Sequence, residues 1–241
     1  MGAIFRRESG MKSNQVLGII GGMGPLATAK FFEKLVKLVP AEKDQDHPRI
    51  LIDSNPKIPD RTDAIFGNGP SPIPAIIKTA FSLKNCGAGF LAIPCVTAHY
   101  YYEEIQKAVD IPIVHMIRET AERYISDFAE KRAGLLATNG TLRAEIFQNF
   151  FPPTSLIVPD QDTQTDFVMK AIYGVKSGEL AGSKTLILKA YEKLISSGAE
   201  LIIAGCTEVP IILNSEDISI PLLDPLTVLA EVCVERMLNL K

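Results

Sequence analysis

Two cysteines stand at matching places in the chain, each at the end of a short apolar run. Cys95 follows Gly87-Ala-Gly-Phe-Leu-Ala-Ile-Pro, and Cys206 follows Gly198-Ala-Glu-Leu-Ile-Ile-Ala-Gly. A thiolate is a base and a thiol is an acid. A pair holding one of each, on opposite sides of one carbon, would remove a proton from one face and return a proton to the other. The chemistry that this spacing indicates is racemisation or epimerisation.

A structural role is the alternative for each cysteine, because a free cysteine at a buried strand end often packs as a small hydrophobe. Two cysteines at matching places, each close before a threonine, favour function over packing. Cys86 and Cys233 have no such counterpart and lie in helical stretches, so we interpret both as structural. No CxxC pair or cysteine cluster is present, which argues against zinc sites and a disulfide framework and favours a reduced, cytoplasmic protein.

Strand-like and helix-like segments alternate around the cysteines. In the first half the predicted strands are 16–20, 49–53, 89–93 and 111–114, and the predicted helices are 27–39, 74–84 and 101–109. Continuous apolar strands between helices indicate a parallel sheet covered on both faces. Each cysteine then lies at the carboxyl end of a strand, where such sheets bind ligands. A helix that starts just beyond would lower the pKa of a thiol there.

The second half repeats the first at shifts of 111 to 116 residues. Gly134-Leu-Leu-Ala-Thr-Asn-Gly matches Gly18-Ile-Ile-Gly-Gly-Met-Gly, and the segments before the two cysteines also match. The alternative is that any two α/β units share this glycine-turn-helix pattern. We predict an α/β fold of two similar parallel-sheet domains related by a pseudo-two-fold axis, with the active site in the cleft between them. The predicted domains are 15–114 plus 219–241 and 115–218, and 1–14 is an N-terminal extension.

Charge and hydropathy exclude several classes of protein. The net charge is −3 and the basic residues are scattered, so the chain has no electrostatic footprint for nucleic acid. No apolar stretch reaches the roughly 18 residues that a membrane-spanning helix needs. The Gly21-Gly-Met-Gly24 turn follows a predicted strand and opens a helix, as dinucleotide-binding loops do. It lacks the GxGxxG spacing, and no phosphate-binding lysine follows, so we do not predict a nucleotide site.

Six segments, in chain order, resemble the aspartate/glutamate racemase family, and specifically its aspartate racemase branch. They are Gly21-Gly-Met-Gly-Pro-Leu-Ala-Thr28, Asn55-Pro-Lys-Ile-Pro-Asp-Arg-Thr62, Pro94-Cys-Val-Thr-Ala-His99, Leu136-Ala-Thr-Asn-Gly-Thr141, Ala171-Ile-Tyr-Gly-Val-Lys176 and Gly205-Cys-Thr-Glu208. The resemblance implies two similar α/β domains, a small acidic amino acid as substrate, and a homodimer. It implies that Cys95 and Cys206 act as paired acid and base, with neither pyridoxal phosphate nor a metal ion.

The same resemblance assigns substrate-binding residues. Arg61 and Lys176 match the basic residues with which the family holds substrate carboxylates. They lie 115 residues apart, within the repeat shift, so each half would contribute one cation and one thiol. Arginine can bind a carboxylate through two parallel hydrogen bonds, whereas lysine acts as a point charge. The other expected pocket residues are Gly22, Met23, Thr97, Ala98, Thr138, Thr141, Thr207 and Glu208.

One position departs from the family pattern. The family carries asparagine directly after its first cysteine, where this chain has Val96. Valine neither donates nor accepts a hydrogen bond, so this position leaves substrate identity open. Glu208 stands where glutamate racemases have histidine after Cys-Thr, which favours the aspartate branch. Glu208 could orient a neighbouring group or stabilise a helix N-terminus, and His99 could tune the Cys95 thiol or simply pack.

Three functions remain open on the sequence alone. The first is racemisation of aspartate, with glutamate as a further substrate. The second is a related decarboxylase or cis–trans isomerase of the same superfamily, for which one cysteine would suffice. The third is a protein that binds acidic amino acids without chemistry, closing its two domains on the ligand.

Overall fold

The structure is a computed structural model that describes residues 15–240, so the predicted extension 1–14 lies outside the described residues. It contains two parallel sheets of four strands each. The first sheet consists of β1 (Leu17–Gly21), β2 (Ile50–Ser54), β3 (Phe90–Ala92) and β4 (Ile113–Val114). The second consists of β5 (Ala133–Leu135), β6 (Leu156–Ile157), β7 (Leu201–Ile203) and β8 (Leu222–Leu223).

The two sheets have the same strand order, β2-β1-β3-β4 and β6-β5-β7-β8. All six strand pairings are parallel. The prediction of two similar parallel-sheet α/β units is therefore confirmed. In each unit the strand that precedes the cysteine, β3 or β7, is an inner strand, which places the segment after it near the middle of the sheet's carboxyl edge.

Helices connect these strands in both halves. They are α1 (Pro25–Leu38), α2 (Arg61–Ile65), α3 (Ile73–Asn85), α4 (Tyr102–Ala108), α5 (Met116–Phe128), α6 (Asn139–Arg143), α7 (Gln161–Thr163), α8 (Lys170–Ser177), α9 (Leu180–Ser196), α10 (Val209–Ile212) and α11 (Pro225–Met237). Short 3-10 turns cover Asp44–Asp46, Thr97–Tyr101 and Ser215–Asp217, and a π-helical turn, Gln164–Met169, joins α7 to α8. Within the described residues no helix is both long and apolar enough to cross a membrane.

Buried apolar side chains form one core shared by both halves and one outer core in each half. The shared core joins residues of both sheets with α1, α5 and α11, and its largest members include Phe31, Tyr124 and Phe147. The outer cores pack α3 and α4 on the first sheet and α8 and α9 on the second. The two halves are therefore held together by continuous apolar packing, which fixes the cleft between their sheet edges.

The segment 219–241 contributes to both halves. Its strand β8 pairs with β7 of the second sheet, whereas its helix α11 packs against α1 and α5. The domain boundaries 15–114 plus 219–241 and 115–218 stay a prediction.

The glycine turn after β1 approaches the end of β2 closely. Gly22 has a φ of +90°, and a Cβ there would lie 2.4 Å from a backbone carbon of Asn55. The Gly22 N–H donates to the hydroxyl of Thr28, which in turn donates to the Gly24 carbonyl. The turn is thus stabilised by its own helix, and its outer side borders the cleft described next.

Candidate active site

Both cysteines line one small buried chamber between the two halves. Cys95 lies three residues beyond the end of β3, and Cys206 lies three residues beyond the end of β7. Each cysteine is 5% exposed. The chamber has a volume of about 10 Å³, which is about the room that one water molecule needs. It is lined by Met23, Asp60, Arg61, Thr62, Cys95, Val96, Thr97, Thr138, Lys176, Cys206, Thr207 and Glu208.

Most of the predicted site residues therefore meet at this chamber, and three do not line it. Gly22 lies outside, on the wall of a larger cavity. Ala98 and Thr141 are fully buried and line neither cavity. The prediction did not include Asp60, whose signal in the sequence is that of a helix cap: its carboxylate accepts from two backbone N–H groups at the start of α2.

The larger cavity, which we call the vestibule, has a volume of about 600 Å³. Its lining includes the glycine turn and the end of α8. Four residues line both cavities and so form the passage between them: Asp60, Arg61, Lys176 and Glu208. The Lys176 ammonium lies 4.0 Å from an Asp60 carboxylate oxygen, across the two halves. Because the chamber has room for only about one water molecule, both the chamber and this passage must widen before an amino acid can bind.

Arg61 holds a positive charge beside Cys95. Its guanidinium donates to the carbonyls of Ile58 and Pro59 through Nη1 and to the carbonyl of Met23 through Nη2. Burial acts to lower the pKa of Arg61, but the electrostatic influence of Cys95 and of Asp60 outweighs it, so the pKa is raised. The bonds to these carbonyls use three of the five N–H donors of the guanidinium, and its buried Nε has no hydrogen-bond partner among the described residues.

Cys206 lies beside a carboxylate instead. Its Sγ donates to Oε2 of Glu208 at 2.8 Å. Burial is the main cause that raises the pKa of Cys206 well above its usual value, and the charge of Glu208 adds to it, while Lys176 acts in the opposite direction. Cys206 is therefore a thiol. Cys95 thus lies beside a cation and Cys206 beside a carboxylate, so the two thiols have different electrostatic surroundings.

Lys176 supplies the second cation. It lies in the last turn of α8, and its ammonium is 5.1 Å from the centre of the Tyr173 ring. Burial acts to lower the pKa of Lys176, but attraction to Cys206, Glu208 and Asp60 outweighs it and the pKa is raised. The chamber thus has one cation from each half of the chain.

Three threonine hydroxyls join the two halves behind the chamber. The Oγ1 atoms of Thr97, Thr138 and Thr141 lie 3.0 Å from one another in a closed triangle. Thr138 also caps α6 by accepting from the Thr141 N–H. The segment that follows Cys95 is therefore tied to the turn that opens α6 in the second half, with Thr141 supporting the two threonines that reach the chamber.

The remaining cysteines lie elsewhere. Cys86 is exposed at the end of α3, and Cys233 is buried within α11, where burial raises its pKa. All four cysteines are free. In the part of the chain that the structure describes, no group of three or more His, Cys, Asp or Glu side chains is placed to hold a metal ion.

His99 connects the Cys95 segment to the second half. Its Nδ1 lies 2.9 Å from the Cys95 carbonyl oxygen, and its Nε2 accepts from the Met116 N–H. Since Nε2 is the acceptor, Nδ1 carries the proton and donates it to the carbonyl. Burial lowers the pKa of His99 from 6.5 to about 4, so the ring is neutral near pH 7.

This histidine predicts a pH-dependent stability. Between pH 6.5 and about 4 the unfolded chain binds a proton at His99 and the folded chain does not, so the free energy of unfolding decreases as the pH falls. The loss from this residue reaches up to about 3 kcal/mol. Urea unfolding of the wild type and of His99→Asn between pH 7 and 4.5 should show the stability difference between them shrinking toward acid. A pH-independent difference would contradict the assignment.

Comparison with known proteins agrees with this architecture. The model of the Asp/Glu/hydantoin racemase family matches residues 20–233. The broad specificity amino-acid racemase RacX of Bacillus subtilis is 32% identical over 228 residues, which cover 92% of this chain and 98% of that protein. The structure of Picrophilus torridus aspartate racemase superposes with a TM-score of 0.84 at 33% identity, covering 92% of this chain and 94% of that one.

More distant structures show the same fold. The glutamate racemase isoform RacE1 of Bacillus anthracis superposes with a TM-score of 0.63 at 16% identity, covering 90% of this chain and 79% of that one. The predicted family and enzyme class are confirmed. The chain belongs to the Asp/Glu/hydantoin racemase family and is an amino-acid racemase, an isomerase.

Proposed function

We propose that this enzyme interconverts the enantiomers of an acidic amino acid, aspartate and also glutamate, by proton transfer between Cys95 and Cys206. The observation that carries this proposal is that both thiols line the same small chamber with a cation from each half, Arg61 and Lys176. The two cations can bind the two carboxylates of a dicarboxylic substrate, and the thiols flank its α-carbon. No external cofactor is needed for such a proton exchange.

The proposed chemistry follows from the two thiol environments. The Cys95 thiolate, beside Arg61, removes the α-proton and becomes a thiol. The Cys206 thiol donates its proton to the opposite face of the carbanion and becomes a thiolate. The intermediate carries extra negative charge on its carboxylate, which fixed cations in a water-poor site stabilise strongly. In the reverse direction the two cysteines exchange roles.

Val96 bears on the choice of substrate. It lines the chamber, so the position that carries an amide in the resembled family presents a methyl surface here. The similarity to RacX, whose name describes a broad specificity, fits a site in which fewer polar groups select the substrate. We propose acidic amino acids because both cations have raised pKa values and therefore keep their charge.

Incubation with single enantiomers tests this function. The wild type, with a metal chelator and without added pyridoxal phosphate, should convert either D- or L-aspartate into an equal mixture, as measured by chiral chromatography. The same assay with glutamate and with alanine measures how far the rate of conversion depends on a second carboxylate in the substrate. Loss of carbon dioxide would instead favour a decarboxylase. Tight binding without conversion of any enantiomer would favour a binding protein and contradict the proposal.

The homodimer and the cytoplasmic location stay predictions. The dimer rests on the family resemblance, and the cytoplasmic setting on the pattern of cysteines, all four of which are free.

A further inference from the structure

Glu208 reaches from the buried thiol to the vestibule. Its Oε2 accepts from Cys206 Sγ at 2.8 Å and lies 3.4 Å from the Thr207 hydroxyl. Its Oε1 lies on the side of Gly24, where an added Cβ would be only 3.2 Å away. Glu208 lines both cavities and Gly24 lines the vestibule, so a single carboxylate contacts the chamber with one side and the outer cavity with the other.

The proposed reaction leaves the enzyme in the wrong protonation state for a second turnover. After one conversion Cys95 is a thiol and Cys206 is a thiolate. The same enantiomer can react again only if Cys95 loses a proton and Cys206 gains one. Both cysteines are almost fully buried, each with 5% of its surface exposed, so direct proton exchange with bulk solvent is restricted.

We propose that Glu208 is the proton relay that returns Cys206 to its thiol form between turnovers. This inference rests on the proposed function. In the reset, Glu208 takes a proton from water on the vestibule side and passes it from its carboxyl group to the Cys206 thiolate, which leaves Glu208 as a carboxylate. Cys95 releases one proton to water as the cleft opens, so one proton enters and one leaves.

The other charged groups of the passage are poorly suited to this role. The guanidinium of Arg61 does not lose its proton in proteins. The ammonium of Lys176 has a raised pKa and is attracted to Cys206, so it stabilises the thiolate rather than supplying its proton. Glu208 is also not used as a helix cap, because its side chain makes no capping bond to α10.

Glu208→Gln is the decisive variant, because glutamine has the same shape and can still accept from the Cys206 thiol but cannot relay a proton. We expect kcat to fall at least about tenfold, while kcat/KM at low substrate stays within about threefold of the wild type. With reset slowed, the net rate should decline as the total concentration of both enantiomers rises, at lower concentrations than in the wild type. Glu208→Asp, which keeps a carboxylate, should recover part of kcat.

Glu216→Gln is the matched control, since it makes the same chemical change at an exposed position of the same half. It should leave kcat and the saturation behaviour unchanged. Equal losses of kcat and kcat/KM in Glu208→Gln, or no loss of kcat, would overturn the relay. The proposed function would still stand in that case, provided that the wild type racemises its substrate. A wild type that racemises nothing would overturn the proposed function and the relay with it.

Discussion

Replacing either Cys95 or Cys206 by serine is expected to lower the rate of racemisation at least about a thousandfold, which corresponds to about 4 kcal/mol in activation free energy. A serine hydroxyl is far less acidic than a thiol, so it serves neither as the base nor as the acid near neutral pH. Each half-reaction needs both groups, and so either substitution alone should stop conversion in both directions. The rate is measured by chiral chromatography from each pure enantiomer.

Cys86→Ser is the matched control for these variants. Cys86 is an exposed free cysteine at the end of α3 and lines neither cavity. Its replacement should change the rate by less than about twofold, since exposed substitutions away from special features have small effects. If Cys95→Ser or Cys206→Ser kept more than a tenth of the wild-type rate, the paired role of the thiols would be wrong.

The second large effect is expected at Arg61, where Arg61→Lys should lower kcat/KM at least about a hundredfold, or about 2.7 kcal/mol. The guanidinium donates to three backbone carbonyls, those of Met23, Ile58 and Pro59, and its charge still faces Cys95. A lysine ammonium is a compact charge that cannot span these partners and bind a carboxylate as a fork at the same time. Steady-state kinetics with aspartate measure the loss.

Arg143→Lys makes the same change at an exposed residue at the end of α6 and should leave kcat/KM within about twofold. A comparable loss in both variants would mean that the assay reports general destabilisation. Activity of Arg61→Lys within about threefold of the wild type would contradict the role of Arg61 as the fixed cation beside Cys95.

The placement of the two cysteines was predictable from the repeat because of a general property of parallel sheets. Strands that match in sequence take the same place in each sheet, as β3 and β7 do, and their carboxyl ends open on the ligand-binding edge. Cys95 and Cys206 could therefore be expected at one cleft before any contact was known. The two sheets have the same strand order, as expected if the two halves of the sequence are repeats of one unit.

The contacts that make the two thiols different could not be predicted in the same way. Glu208 follows Cys206 by two residues, and the sequence left open whether it orients a neighbour or supports a helix. The structure shows it accepting from the thiol and making no capping bond to α10, because its backbone is helical (φ −78°, ψ −27°) rather than extended as in a capping residue. Local backbone geometry, which spacing does not report, decides between these outcomes.

Contacts between the two halves could not be predicted from the sequence either. The pairing of Lys176 with Asp60 and the threonine triangle join segments that are far apart in the chain. They depend on how the shared core sets one sheet against the other, and α5 and α11, which each follow the last strand of a sheet, contribute to that core. A periodic pattern predicts an element and its buried face but not its distant partner.

The most direct test of the central claim follows deuterium from heavy water during the first few per cent of conversion of one pure enantiomer. If Cys95 and Cys206 act on opposite faces of the α-carbon, the product formed should carry one solvent deuterium while the remaining substrate keeps its hydrogen. Deuterium appearing in the substrate as fast as in the product would show a single base that exchanges with solvent, and would contradict the two-thiol mechanism.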